Sequence, residues 1–145
     1  MTAPTLAALV FVLSSTAAPG AAPSGGLSIQ MSGFRSADGQ VLVAVYRGED
    51  GFPGEPGKAW ATAVATIAGG RASVEIAAPP GEYAFAIVHD ENGNNQMDTN
   101  WLGIPKEGIG TSNNAKGRFG PPKYRDAKFT VPEGGVVQTI KIVYL

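Results

Sequence analysis

The chain has 145 residues, 43% of them hydrophobic and 16% charged, with 20 glycines, 11 prolines, no cysteine and a formal net charge of −1. That length suits one domain with a short processed end, and the apolar content is too high for a disordered protein. The near-zero charge removes the electrostatic reason to expect nucleic acid or an anionic membrane as a partner, and the lack of cysteine excludes disulfides, a thiolate metal site, a cysteine nucleophile and a lipoprotein's acylated cysteine.

The first stretch, "MTAPTLAALVFVLSSTAAPGAAPSGG", carries an apolar run from Leu6 to Leu13, followed by small residues that offer cleavage sites near Ala18 or Ala22. It reads as a secretory signal peptide over residues 1–22, although no Lys or Arg precedes the run; residues 23–26 follow as a short linker and 27–145 as the domain. The run is far shorter than the roughly 20 apolar residues a membrane span needs, so no transmembrane span is expected and the protein is placed in the periplasm or outside the cell.

From Leu27 onward the apolar residues follow a period of two. "LSIQMSGF" sets Leu27, Ile29 and Met31 against Ser28, Gln30 and Ser32, the pattern of a half-buried strand. "QVLVAVYR" is apolar on both faces, as a central strand would be. A Gly/Pro-rich loop follows, "GEDGFPGEPGKAW", with one helical turn expected around Lys58 to Ala61. "RASVEIA" alternates through Ala72, Val74 and Ile76, "YAFAIVH" mixes aromatic and β-branched residues with alanines, and "VVQTIKIVYL" sends Val136, Gln138, Ile140, Ile142 and Tyr144 to one side. The separators "SADGQ", "IAGGR", "APPGEY" and "VPEGGV" are turn sequences. The expected fold class is all-β, a single antiparallel β-sandwich of about seven strands.

The rhythm fails from about Asn92 to Asp126, a Gly/Pro/Asn-rich stretch expected to be one long loop, which inside a compact domain is usually functional. Six of the eleven Lys and Arg residues lie in it or at its end: Lys106, Lys116, Arg118, Lys123, Arg125 and Lys128.

At its start, "DENGNNQMD" places Asp90, Asn92, Asn94, Gln96 and Asp98 at alternate positions, matching positions one, three, five, seven and nine of a calcium loop. Three features depart from an EF-hand: position six is Asn95, position twelve is Trp101, and a strand precedes the loop. Glu107 is the nearest carboxylate able to complete a calcium shell of weak affinity. The alternative needs no ion, because Asp and Asn side chains bond their own backbone two residues on, in successive Asx-turns.

The segment "PPGEYAFAIVHDENGNNQMDTNWLGIPKEGIGTSNNAKGRFGPPKYRDAKFTV" resembles the signature of an uncharacterised bacterial family, the domain of unknown function DUF2141. The likeness rests on four motifs in order: a Pro-Gly-x-Tyr strand entry, His-Asp-x-Asn-x-Asn, Gly-Ile-Pro-x-Glu-Gly and Phe-Gly-Pro-Pro, and it extends from about Leu27 to the C-terminus. The resemblance implies a prealbumin-like or immunoglobulin-like sandwich, secretion and no assigned activity. Where the family usually has a second Asn-Gly this chain has Asn94-Asn95, and Asn is the next best residue for a left-handed turn.

The chemistry-bearing residues support three functional classes. His89, the lone histidine, suits a general base or a metal ligand, but no serine elbow, zinc pattern or cysteine accompanies it, so its expected role is to hold the long loop against the sheet. Trp101, Phe119 and Tyr124 with Lys106 and Arg118 could bind a sugar or an anionic polymer, while the bland reading has these aromatics folding the loop onto the sandwich. The expectation is therefore an exported, non-enzymatic binding or structural module of the cell envelope, monomeric, with an envelope or extracellular ligand. A carbohydrate or anionic-ligand module is the runner-up, and a hydrolase using His89 with Asp90 or Glu107 comes third.

Overall fold

The computed structural model describes residues 25–102, 104–118 and 120–145. The expected signal peptide, with Ala18 and Ala22, lies outside the described residues, as does Phe119. Eight strands follow in chain order: β1 (Leu27–Ser32), β2 (Gln40–Tyr46), β3 (Ala61–Ala65), β4 (Arg71–Ile76), β5 (Gly81–Asp90), β6 (Gly108–Thr111), β7 (Phe129–Val131) and β8 (Val136–Lys141). They form an all-β sandwich of two sheets, one ordered β4-β1-β8 and the other β3-β2-β5-β6, with β7 also paired to β5.

Alternation decides which face is buried. Leu27, Ile29 and Met31 of β1 meet Val41, Val43 and Val45 of β2, Tyr83, Phe85 and Ile87 of β5, and Val74, Ile76 and Ile140 from the neighbouring strands, all within one core. Each such side chain withdrawn from water contributes roughly 1.5–3 kcal/mol before conformational entropy is counted. The outer face of β2 is apolar because it too is covered at its end: Tyr46 packs edge-on against Phe52, with ring centroids 5.4 Å apart, and its hydroxyl donates to the Pro53 carbonyl at 3.3 Å.

Three strands arise where the sequence reading marks none. In β3 the inward residues are only Ala61, Ala63 and Ala65, too small to mark a buried face. The helical turn expected at Lys58 to Ala61 instead occupies Pro56–Lys58 as a 3-10 turn, and Ala61 already belongs to β3. Strand β6 reads "GIGT", a weak strand former, yet its glycines are sterically required: a Cβ on Gly108 would stand 2.5 Å from the Tyr144 ring, and one on Gly110 would stand 2.9 Å from Ile142. Strand β7 has three residues and holds the start of β5 through Gly81↔Val131 and Tyr83↔Phe129.

The sheets are mostly but not wholly antiparallel. Strands β1 and β8 run parallel, Leu27 beside Val136 and Ser32 beside Lys141. A parallel pair needs a long crossover, and here the whole intervening chain supplies it. Ile109 of β6 bridges to Val143 beyond β8, joining the two sheets along one side. Strand β5, ten residues long and central in its sheet, therefore runs from the β7 side to a free end at Asp90, where the long loop begins.

Candidate functional site

The register of β2 with β5 puts Gln40 opposite Asp90 and Val41 opposite His89. Gly39, in the turn before β2, has φ +69°, and a Cβ there would fall 1.9 Å from the Asp90 carbonyl oxygen, so only glycine lets this turn approach the strand end. His89 and Asp90 are both fully buried.

Asp90 is the hub of the loop. Its Oδ1 accepts the backbone N–H of Asn94 at 3.2 Å, and its Oδ2 accepts that of Asn95 at 2.8 Å and the Gln40 amide at 3.0 Å. The Gln40 amide also reaches Asn95 Oδ1 at 2.7 Å. Asn95 takes φ +64°, the left-handed conformation expected of Asn at this place. Asn92 Oδ1 accepts the Asn94 N–H at 3.2 Å and Asn94 Oδ1 accepts the Gln96 N–H at 3.0 Å, two successive Asx-turns. The side-chain amides of Asn92 and Asn94 then donate to the two oxygens of Asp98 at 2.8 and 2.9 Å.

Glu107 closes the same loop from its far end. It is 5% exposed and accepts the backbone N–H of Glu91 at 3.0 Å and of Asp98 at 3.2 Å. The structure thus brings together Asp90, Asn92, Asn94, Gln96, Asp98 and Glu107, the residues read from the sequence as calcium ligands, with Gln96 contributing its backbone N–H. Every carboxylate oxygen among them faces an N–H donor, and among the described residues no three acidic or histidine side chains converge as a metal shell. The donors arranged here are those of a hydrogen-bonded clasp.

Beside the clasp, Arg35 pairs with Glu91, Nε to Oε2 at 3.0 Å, and Ser36 donates to the same oxygen at 3.1 Å. The Arg35 hydrogen bond holds the Glu91 carboxyl below its ordinary range. Arg35 also stacks 4.4 Å above the Tyr144 ring.

His89 points into this corner. Its Nε2 lies 2.9 Å from the Asp38 carbonyl and its Nδ1 lies 2.8 Å from the Tyr144 hydroxyl. A carbonyl can only accept, so Nε2 carries a proton; in the neutral imidazole Tyr144 then donates to Nδ1, while the Tyr144 oxygen accepts the Arg35 backbone N–H at 3.0 Å. Phe34 covers the imidazole edge-on at 5.3 Å. Both ring nitrogens are used, and neither bonds Asp90 or Glu107. The ring therefore ties the turn at Asp38 to the end of the chain's last β run, a positioning job.

Above the clasp the chain forms a small tip. Thr99 bridges Pro105, Asn100 N–H donates to the Ile104 carbonyl at 2.9 Å, and Asn100 Oδ1 accepts the N–H of Leu102 at 2.8 Å and of Ile104 at 3.1 Å. Trp101 at the apex is 90% exposed and Leu102 61%, with Met97 and Ile104 each 41% exposed beside them. Trp101 was singled out from the sequence as a ligand residue; Leu102, Ile104 and Met97 were not, although "NWLGI", apolar residues between turn formers, was the available signal for their exposure.

The remaining predicted ligand residues lie elsewhere. Arg118 and Tyr124 line a groove of about 880 Å³ that also includes Lys116, Lys123, Arg125 and the opposing Glu49 and Asp126. The Tyr124 hydroxyl donates to Glu82 at 3.2 Å, and burial followed by Glu82 pushes its pKa up to about 12. Glu82 is at the start of β5 and Asp90 at its end, about 25 Å apart at the usual strand rise. Trp101 and Lys106 therefore sit at one end of the sandwich and Arg118 and Tyr124 at the other, so they do not make one patch.

No helix among the described residues is long and apolar enough to cross a membrane. No curated protein and no solved structure matches the chain. Residues 29–139 match the family model described as an uncharacterized protein conserved in bacteria, DUF2141, and the chain belongs to that family.

Proposed function

We propose that the chain is an exported, non-enzymatic binding module of the cell envelope that makes its contact through the tip at residues 97–104. The observation that carries this reading is the display of Trp101, Leu102, Ile104 and Met97 on one short segment whose stem is fixed by Asp90 and Glu107. Tryptophan is enriched where binding energy concentrates, and a contiguous exposed apolar cluster marks an interaction site. A stem held in advance lowers the ordering cost of association. The use of both His89 nitrogens by Asp38 and Tyr144 supports a role without proton transfer, and the apolar run Leu6 to Leu13 supports export. Calcium is not required by this reading, because the clasp carboxylates already face N–H donors.

A second reading has its own observation, the cationic groove of Lys116, Arg118, Lys123 and Arg125 at the opposite end, which suits an anionic ligand or a charged sugar. Glu49 and Asp126 in the same wall reduce that attraction. The two are separated by a photo-crosslinking residue placed at position 101 or at position 118 in cells. Adducts, to protein or to lipid, are expected from position 101. Adducts from position 118 alone would transfer the function to the groove and end the tip reading.

A further inference from the structure

We propose that the surface this tip engages is a lipid bilayer, with Trp101 and Leu102 seated at the boundary between headgroups and acyl chains; the inference rests on the tip being the contact site. Trp101 at 90% and Leu102 at 61% exposure stand clear of their neighbours, and no described residue of the tip lines the groove at the other end, so the apolar groups project from the surface. Trp101 offers about 200 Å² to a partner, and with Leu102, Ile104 and Met97 the tip presents four apolar side chains, against the roughly 20–30 residues a side that a stable protein interface engages. A bilayer imposes no such minimum, because the apolar groups need only pass the headgroups by a few ångströms. Indole also favours that depth, with an apolar body and one N–H for the wet side.

Part of the tip's backbone is already paired for a medium without water. An unpaired N–H carried into an apolar phase is costly, and at a loop apex such groups are usually bare. Here Asn100 Oδ1 takes the N–H groups of both Leu102 and Ile104, while the Asn100 N–H goes to the Ile104 carbonyl. Residues 99–105 hold no charge, and the first charged groups beyond them are Asp98 on one arm and Lys106 on the other, both at headgroup level. The nearby acids are engaged, Glu91 with Arg35, Asp98 with the amides of Asn92 and Asn94, and Glu107 with backbone N–H groups. Acids outnumber bases in this corner, so the attraction is apolar and does not depend on anionic lipid.

The test is flotation of the full chain with vesicles of phosphatidylcholine alone and of phosphatidylcholine mixed with phosphatidylglycerol. Wild type is expected to float with both, and tryptophan emission is expected to be quenched by brominated acyl chains. The double variant Trp101→Ser/Leu102→Ser should lose partitioning by at least about ten-fold and Trp101→Phe should retain most of it, with thermal melting reporting that each is folded. Both proteins carry the same residues 1 to 24, so any contribution of the N-terminal apolar run cancels. Partitioning unchanged in the double variant, or binding only to the anionic vesicles that falls with Lys116→Ala/Arg118→Ala, would overturn the proposal. Wild type that ignores vesicles while position 101 still crosslinks to protein, or self-associates through Trp101, would overturn the lipid assignment and leave the tip as a protein contact. If neither vesicles nor crosslinks involve position 101, both readings fall.

Discussion

Glu107 accepts the backbone N–H of Glu91 at 3.0 Å across a sequence separation of 16 residues, while its other oxygen holds Asp98. One buried carboxylate thereby fastens both arms of the loop that carries the tip. Glu107→Gln keeps the shape but turns an amide N–H₂ toward one of the two backbone donors. The expected loss is about 1.5–3 kcal/mol, the worth of a charge-assisted hydrogen bond, read as a lower urea midpoint with an unchanged slope.

The Asx-rich clasp makes a separate forecast for calcium. A ligand that binds the native state must raise its melting temperature. With Asp90, Asp98 and Glu107 all facing N–H donors, the melting temperature in millimolar calcium is expected to equal that in chelator. A calcium-dependent rise abolished by Asp98→Asn would show instead that the amides of Asn92 and Asn94 turn their oxygens inward to complete an ion shell.

Tyr144 is the donor that His89 Nδ1 requires, and it also receives the Arg35 N–H. Tyr144→Phe removes both hydrogen bonds while leaving most of the ring packing. Destabilisation of about 1–3 kcal/mol is expected from the unsatisfied buried nitrogen. Nitrogen NMR of His89 in the wild type should show the proton on Nε2; a proton on Nδ1 would refute the hydrogen-bond assignment.

Glu91 gives the acid-side prediction. Its folded pKa is depressed chiefly by the Arg35 hydrogen bond, from an ordinary value near 4.5. A depressed carboxylate contributes stability that is present in full above the unfolded value and is lost as pH falls through the folded one. The wild type should therefore lose stability below about pH 4.5 more steeply than Glu91→Gln. Solvent around the pair keeps the effect small, and high salt should shrink it further. Parallel acid-side slopes in the two proteins would remove the pair from the account of acid stability.

Strands β1, β4 and β8 were readable because burial on one face imposes period two, and β2 and β5 because they are short apolar runs of β-branched and aromatic residues bounded by turn sequences. Strands β3 and β6 were not, since alanines and glycines occupy the inward positions and leave no hydrophobic contrast. The reason for those small residues is tertiary: the Tyr144 and Ile142 side chains fill the space over Gly108 and Gly110. In the clasp, the spacing of Asp90, Asn92, Asn94 and Asp98 picked out side chains that the fold brings together, and Glu107, read as completing a calcium shell, joins them by accepting backbone N–H groups. Which atoms face which was not legible, because an Asn amide offers a donor and an acceptor on one side chain. The grouping of Trp101 with Tyr124 failed for a simple reason: the 22 residues between them, irregular in sequence, hide the passage of the chain from one end of β5 to the other.

The parallel pairing of β1 with β8 sets an order of events. During synthesis β1 can zip to β4 as soon as Ile76 is available, but its other edge stays open until Val136–Lys141 has been made. For that interval a nascent chain presents an unguarded row of backbone donors and acceptors, the kind of edge on which chains aggregate. Any shortened chain ending before Val136 inherits that exposed edge permanently, so truncation on that side is a hazard out of proportion to the few residues removed.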